Sequence, residues 1–101
     1  MEIWQKTQFE QQLAERRDFI LYFYTPTCGV CQLAGQLIEF VEAAQPERHF
    51  AKADLNFFPD VAEQHHIRSV PALLKYQNGQ LQKISYELNN VTSIFEFVTA
   101  D

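Results

Sequence analysis

Six consecutive residues, Phe19-Ile20-Leu21-Tyr22-Phe23-Tyr24, are all apolar or aromatic, and a proline-marked turn and a helix-patterned segment follow at once. A strand exposed on one side alternates apolar with polar residues, whereas a continuous β-prone run reads as a central strand covered on both faces. Such a strand needs a layer above it and another below, so the chain must supply apolar surface for two. It does: 47% of the 101 residues are hydrophobic, including nine Phe. That is enough for one compact domain over residues 1–101 and leaves no room for a second core. Three Gly and four Pro provide no flexible linker or low-complexity tract, and no internal repeat is present.

The remaining elements follow from local signals. Glu2–Gln5 reads as a short edge strand. Thr7 and Glu10 fit a capping box, opening a helix that runs to Arg17 with Phe9 and Leu13 one turn apart. Pro26 stops the apolar strand, and Thr25 to Gly29 forms a turn. From Cys31 a long helix is expected to bury Leu33, Leu37, Phe40, Val41 and Ala44 and to end before Pro46. His49–Asp54 reads as a strand, and Pro59 opens a helix that passes Val61-Ala62 and stops around His65-His66. Pro71–Tyr76 and Leu81–Tyr86 read as strands joined by Asn78-Gly79, a strong hairpin signal. A last helix from Asn90 presents Val91, Ile94, Phe95 and Val98. The order β-α-β-α-β-α-β-β-α describes an α/β fold. Helical crossovers join parallel strands, a final hairpin is antiparallel, and helices cover both faces of a mixed sheet.

Charge and hydropathy restrict the functional classes. The net charge of −5 reads as ordinary solubility, and Arg16-Arg17, the only adjacent basic pair, is expected to cap a helix end. Nucleic-acid binding, which calls for a basic patch, is not expected. No apolar stretch approaches a membrane span, and the polar first twenty residues lack the pattern of a secretory signal. The expectation is a cytoplasmic, membrane-free protein, monomeric by default.

The two cysteines, Cys28 and Cys31, enclose Gly29-Val30. Two cysteines placed at random in a chain of this length would show that spacing about once in fifty, so coincidence is a weak explanation. Their position where a strand turns into a helix has chemical consequences. At a helix N-terminus, free N–H groups and the macrodipole favour an anion, so the Cys28 thiol is expected to acidify and become the better nucleophile. Cys31, one turn inward, is placed to attack a mixed disulfide on Cys28. Gly29 leaves room for a substrate backbone.

The segment Phe19–Leu33, FILYFYTPTCGVCQL, resembles the active-site strand, turn and helix of thioredoxins. Val70-Pro71 stands where that family has a cis-proline beside its redox pair, and the resemblance extends to Lys52 and Asn78-Gly79 over nearly the whole chain. It implies a thioredoxin-like fold and thiol–disulfide exchange on protein or small-molecule disulfides, with an external thiol or disulfide reductase as electron donor and no bound cofactor. It further implies a cis Pro71 against Cys28–Cys31, and a Val70 backbone that pairs with bound substrate. Thr27, Gly29 and Val30 complete the expected substrate contacts.

The sequence departs from the family at several positions. Tyr22 stands where thioredoxins usually carry a buried Asp that accepts the second cysteine's proton. A phenol with a pKa near about 10 is no general base at neutral pH. Lys52, the usual partner of that Asp, is left either to favour a thiolate or to snorkel as a strand residue. Thr27 replaces a Trp, Val30 replaces a Pro, and Glu87 or its neighbours replace a Gly. A non-catalytic binding module with a vestigial cysteine pair is the alternative. A metal site built from Cys28, Cys31, His65 and His66 is not expected, because adjacent His residues on a helix point about 100° apart. Phe57-Phe58 is expected to be core.

Overall fold

The computed structural model describes residues 1–100. Within them the chain runs β1 (Glu2–Ile3), α1 (Lys6–Ala14), β2 (Phe19–Tyr24), α2 (Gly29–Ala44), β3 (Phe50–Asp54), α3 (Pro59–Gln64), β4 (Ala72–Gln77), β5 (Gln80–Ser85) and α4 (Val91–Thr99). A 3-10 turn over Leu55–Phe57 links β3 to α3. The strands form a five-stranded sheet in the order β1-β3-β2-β4-β5. β3 pairs parallel with both β1 and β2, while β4 is antiparallel to β2 and β5. The element order and the mixed sheet are those expected from the sequence.

β2 lies at the centre of the sheet and divides its side chains between two cores. Phe19, Leu21 and Phe23 join Trp4, Phe9, Phe58, Val61 and Tyr76 beneath α1 and α3. Ile20 and Tyr22 face the other way, into a core with Cys31, Ala34, Ile38 and Val41 of α2 and Ile94 and Val98 of α4. The first core is largely aromatic, with Phe19 stacked on Tyr76 at 4.6 Å between ring centroids. The period-two geometry of a strand explains how one uninterrupted apolar run serves both layers.

The hairpin turn is built as its sequence demands. Asn78 and Gly79 have φ of 55° and 73°, the left-handed pair of a type I′ turn. A Cβ on Gly79 would lie 2.7 Å from the Leu13 carbonyl oxygen, so both the turn and its packing against α1 require glycine.

Several local expectations are corrected. The N-cap of α1 is Gln5, whose N–H donates to the Gln8 side chain at 2.7 Å, rather than Thr7 paired with Glu10. Burial of Trp4 draws the chain into the helix two residues early and shortens the edge strand to Glu2–Ile3. Arg16-Arg17 caps the helix end as expected, through the backbone: Arg16 is left-handed with φ of 55°, its N–H donates to the Leu13 carbonyl at 3.1 Å, and the Arg17 N–H donates to the Gln12 carbonyl at 3.1 Å. α2 starts at Gly29, with Cys28 as its N-cap. Of Phe57-Phe58, only Phe58 is core, while Phe57 is exposed. In α4, Phe95 is exposed, and Phe97 packs against the core in its place.

The largest correction concerns the orientation of α2. Its buried residues are Cys31, Ala34, Ile38 and Val41, whereas Leu33 and Phe40 point into solvent and Ala44 is exposed. Two apolar stripes run along this helix one residue apart, and helical periodicity does not distinguish them. Side-chain volume does. A Cβ added to Gly35 would sit 3.5 Å from Tyr22 Cε2, so the helix approaches the sheet closely here. Ala34 and Gly35 allow that approach; Leu33 and Phe40 on the same face would prevent it.

Candidate active site

The site forms where the C-terminal end of β2 meets the N-terminus of α2 and the start of β4. Pro26 ends the strand, and the Cys28 N–H donates to the Thr25 carbonyl at 3.1 Å, closing the turn. The Cys31 N–H then donates to the Cys28 carbonyl at 3.2 Å as the first helical turn begins. Cys28 and Cys31 are joined as a disulfide, with their Cα atoms 5.3 Å apart. The two sulfurs differ in environment. Cys31 is 5% exposed and belongs to the core beneath α2, whereas Cys28 is half-buried at the surface.

Val70 and Pro71 stand opposite. The Val70–Pro71 peptide bond is cis, and Cys28 Sγ lies 4.0 Å from the Val70 carbonyl oxygen. Around the pair, Thr27, Gly29 and Val30 are exposed, with Val30 at 67%. A Cβ on Gly29 would meet no heavy atom within 4 Å, so the fold does not require glycine there and leaves the space open. All seven residues singled out from the sequence therefore belong to one end of the sheet and the turns around it.

Two contributors escaped the sequence reading. The Arg68 N–H donates to the Tyr86 hydroxyl at 3.1 Å, and the Arg68 guanidinium lies 4.7 Å from the centroid of that ring. This contact ties the segment leading into Val70-Pro71 to the end of β5, next to the exposed Glu87. The partners are 18 residues apart, and neither carries a motif. No local signal could have found them.

Behind the pair, Tyr22 is 2% exposed, and its hydroxyl donates to the Cys31 carbonyl at 2.6 Å. Burial pushes the phenol up from its ordinary value, and the neighbouring Tyr24 adds to the rise. The group behind Cys31 is thus a neutral hydrogen-bond donor, in keeping with the expectation that Tyr22 cannot act as a base. Lys52 pairs in register with Tyr22, and its ammonium sits 5.8 Å from the Tyr24 ring centroid. That placement matches a lysine snorkelling along the sheet. Among the described residues, no three His, Cys, Asp or Glu side chains converge on a common point. His65 packs edge-on against Tyr76, and burial lowers its pKa.

The raised phenols give the fold an alkaline limit. Burial also pushes Tyr76 up. In the unfolded chain these groups ionise near about pH 10, while in the fold they hold their protons. Above that pH the unfolded state binds fewer protons, so stability falls as pH rises. The urea midpoint should fall between about pH 8 and about pH 11, and fall less in Tyr76→Phe. An equal fall in both proteins would remove Tyr76 from the account.

Comparison with known proteins agrees with this geometry. A family model described as Thioredoxin matches residues 1–100. Thioredoxin-like protein YusE of Bacillus subtilis is 32% identical over 80 residues, covering 79% of this chain and 76% of that protein. Thioredoxin-1 of Saccharomyces cerevisiae is 28% identical over 74 residues, covering 73% and 72%. The X-ray structure of Fasciola hepatica thioredoxin superposes with a TM-score of 0.82 at 20% identity, covering 98% of this chain and 97% of that one, a likeness of fold. With both sulfurs within bonding distance in such a framework, a vestigial cysteine pair is not favoured.

Proposed function

Because the chain belongs to the thioredoxin family it is a thiol–disulfide oxidoreductase, and we propose that Cys28 is its attacking thiolate and Cys31 its resolving thiol. The difference in exposure between the two sulfurs carries this assignment, since a substrate disulfide can reach Cys28 but not the buried Cys31. The N-cap position of Cys28 adds a field that favours its anion.

In the reduced protein the Cys28 thiolate attacks one sulfur of a substrate disulfide. A Cys28–substrate disulfide forms, and the other substrate sulfur leaves as a thiolate that takes a proton from water. Cys31 then loses its proton and attacks Cys28 Sγ. The intramolecular disulfide closes, the second substrate sulfur departs, and two electrons have passed to the substrate. Tyr22 has no proton-accepting capacity at neutral pH, so the Cys31 proton goes to solvent or to the departing thiolate. Thr27, Gly29, Val30 and Pro71 shape the substrate contact, and the Val70 backbone pairs with the substrate chain. An external thiol or disulfide reductase returns the pair to its dithiol form.

In this reading the protein works as a single-domain monomer on disulfide-containing proteins, in the cytoplasm, where thiols are kept reduced. Among the described residues, no helix is long and apolar enough to cross a membrane. The direction of exchange follows from the reduction potential of the pair. Near about −270 mV it acts as a reductant, and above about −200 mV as an oxidant or isomerase.

Alkylation selectivity tests the roles. Limiting iodoacetamide on the reduced protein near about pH 7 should label Cys28 at least about tenfold faster than Cys31, read by peptide mass mapping. Faster labelling of Cys31 would reverse the assignment.

A further inference from the structure

α2 carries a second apolar stripe, of which the fold covers only Leu37, and that in part. Val30, Leu33 and Phe40 are 67%, 56% and 69% exposed, and Leu37 between them is half-buried. Their spacing of three, four and three residues places them on one helical face, a seam about 15 Å long at 1.5 Å per residue. It parallels the buried series Cys31, Ala34, Ile38 and Val41, displaced by one residue.

The charges of the helix lie elsewhere. Glu39 and Glu42 face the β1 side, where both carboxylates lie 3.3 Å from the N-terminal amine. The exposed side chain that flanks the seam one turn before Phe40, Gln36, is uncharged. Isolated exposed apolar residues are ordinary, but a continuous row marks an interaction surface.

This row begins at Val30, inside the redox motif. A disulfide attacked by Cys28 must come to rest beside Val30, so whatever carries that disulfide is the molecule positioned to continue along Leu33, Leu37 and Phe40. We propose that this seam is a docking surface for protein substrates in which an apolar amphipathic segment lies beside the reactive disulfide. Burying the seam beneath such a segment holds the substrate sulfur over Cys28. Small disulfides, which end at Val30, gain nothing from it. The inference rests on the disulfide-exchange reading above and narrows its substrate class.

Two synthetic peptide disulfides test it. They share the residues around the cystine; one continues into a ten-residue amphipathic apolar segment and the other into a ten-residue Ser/Gln segment. The full chain should reduce the apolar peptide with at least tenfold higher kcat/KM than the polar one. In L33Q/F40Q, which alters only exposed side chains, the apolar peptide should fall to the rate of the polar peptide, whose own rate stays unchanged. Equal rates for the two peptides with the unaltered protein would overturn the proposal. So would sedimentation as a dimer that L33Q/F40Q converts to a monomer, because the seam would then belong to a second copy. If neither peptide were reduced, the exchange reading itself would fail, a result distinct from equal turnover of both.

Discussion

Cys28→Ser is expected to lose disulfide reduction by more than about a thousandfold, leaving the uncatalysed rate of the thiol donor. A serine hydroxyl remains protonated at neutral pH and is a far weaker nucleophile than a thiolate. The Val70 carbonyl oxygen, 4.0 Å from Cys28 Sγ, accepts hydrogen bonds but takes no proton. The same substitution opens the disulfide. Closing so short a loop is worth about 2 kcal/mol to the oxidised form, so the variant should be compared with the reduced protein. Turnover is measured by coupling to a dithiol donor. Wild-type rates in Cys28→Ser would mean that another group attacks the substrate.

Cys31→Ser is expected to be equally inactive but with a different signature. Cys28 can still attack, and the reaction then halts at one equivalent of a Cys28–substrate mixed disulfide, visible by intact mass and on non-reducing gels. Cys28→Ser should form none. Position 31 is 5% exposed in the core beneath α2, so a serine hydroxyl there costs about 1–3 kcal/mol unless it finds a partner. A urea titration of the variant separates that loss from the catalytic one. Continued turnover without an accumulating adduct would show that Cys31 is not the resolving thiol.

The fold was legible in the sequence where local chemistry has a single outcome. The run Phe19–Tyr24 permits only a strand covered on both faces, and the structure divides it between two cores. Asn78-Gly79 permits a two-residue hairpin, and both residues are left-handed. The site was legible through the spacing of Cys28 and Cys31 at a strand-to-helix turn. The cis peptide at Pro71 was expected from family resemblance alone, since a strand-opening proline is ordinarily trans.

Where the sequence misled, a second local solution was available. Thr7/Glu10 and Gln5/Gln8 both fit a helix start, and burial of Trp4 selected the earlier one. In α2, both offset stripes have helical period, and the larger side chains made the wrong stripe more conspicuous. The Arg68–Tyr86 contact beside the site, like the hydroxyl of Tyr22 on the Cys31 carbonyl, joins residues that only chain reversal brings together.

The sequence by itself determined the order of elements, the two-sided central strand, the hairpin and the position of the redox pair. Each depends on dihedral preferences, side-chain period or the chemistry of residues a few positions apart. Tertiary structure alone decided which face of α2 is buried, which sulfur is sheltered, and what lies behind and beside the pair. Those outcomes depend on the space between helix and sheet, and that space is set by Tyr22, Ala34 and Gly35 together. The same choice turned Leu33 and Phe40 outward, along the helix that begins at the cysteines.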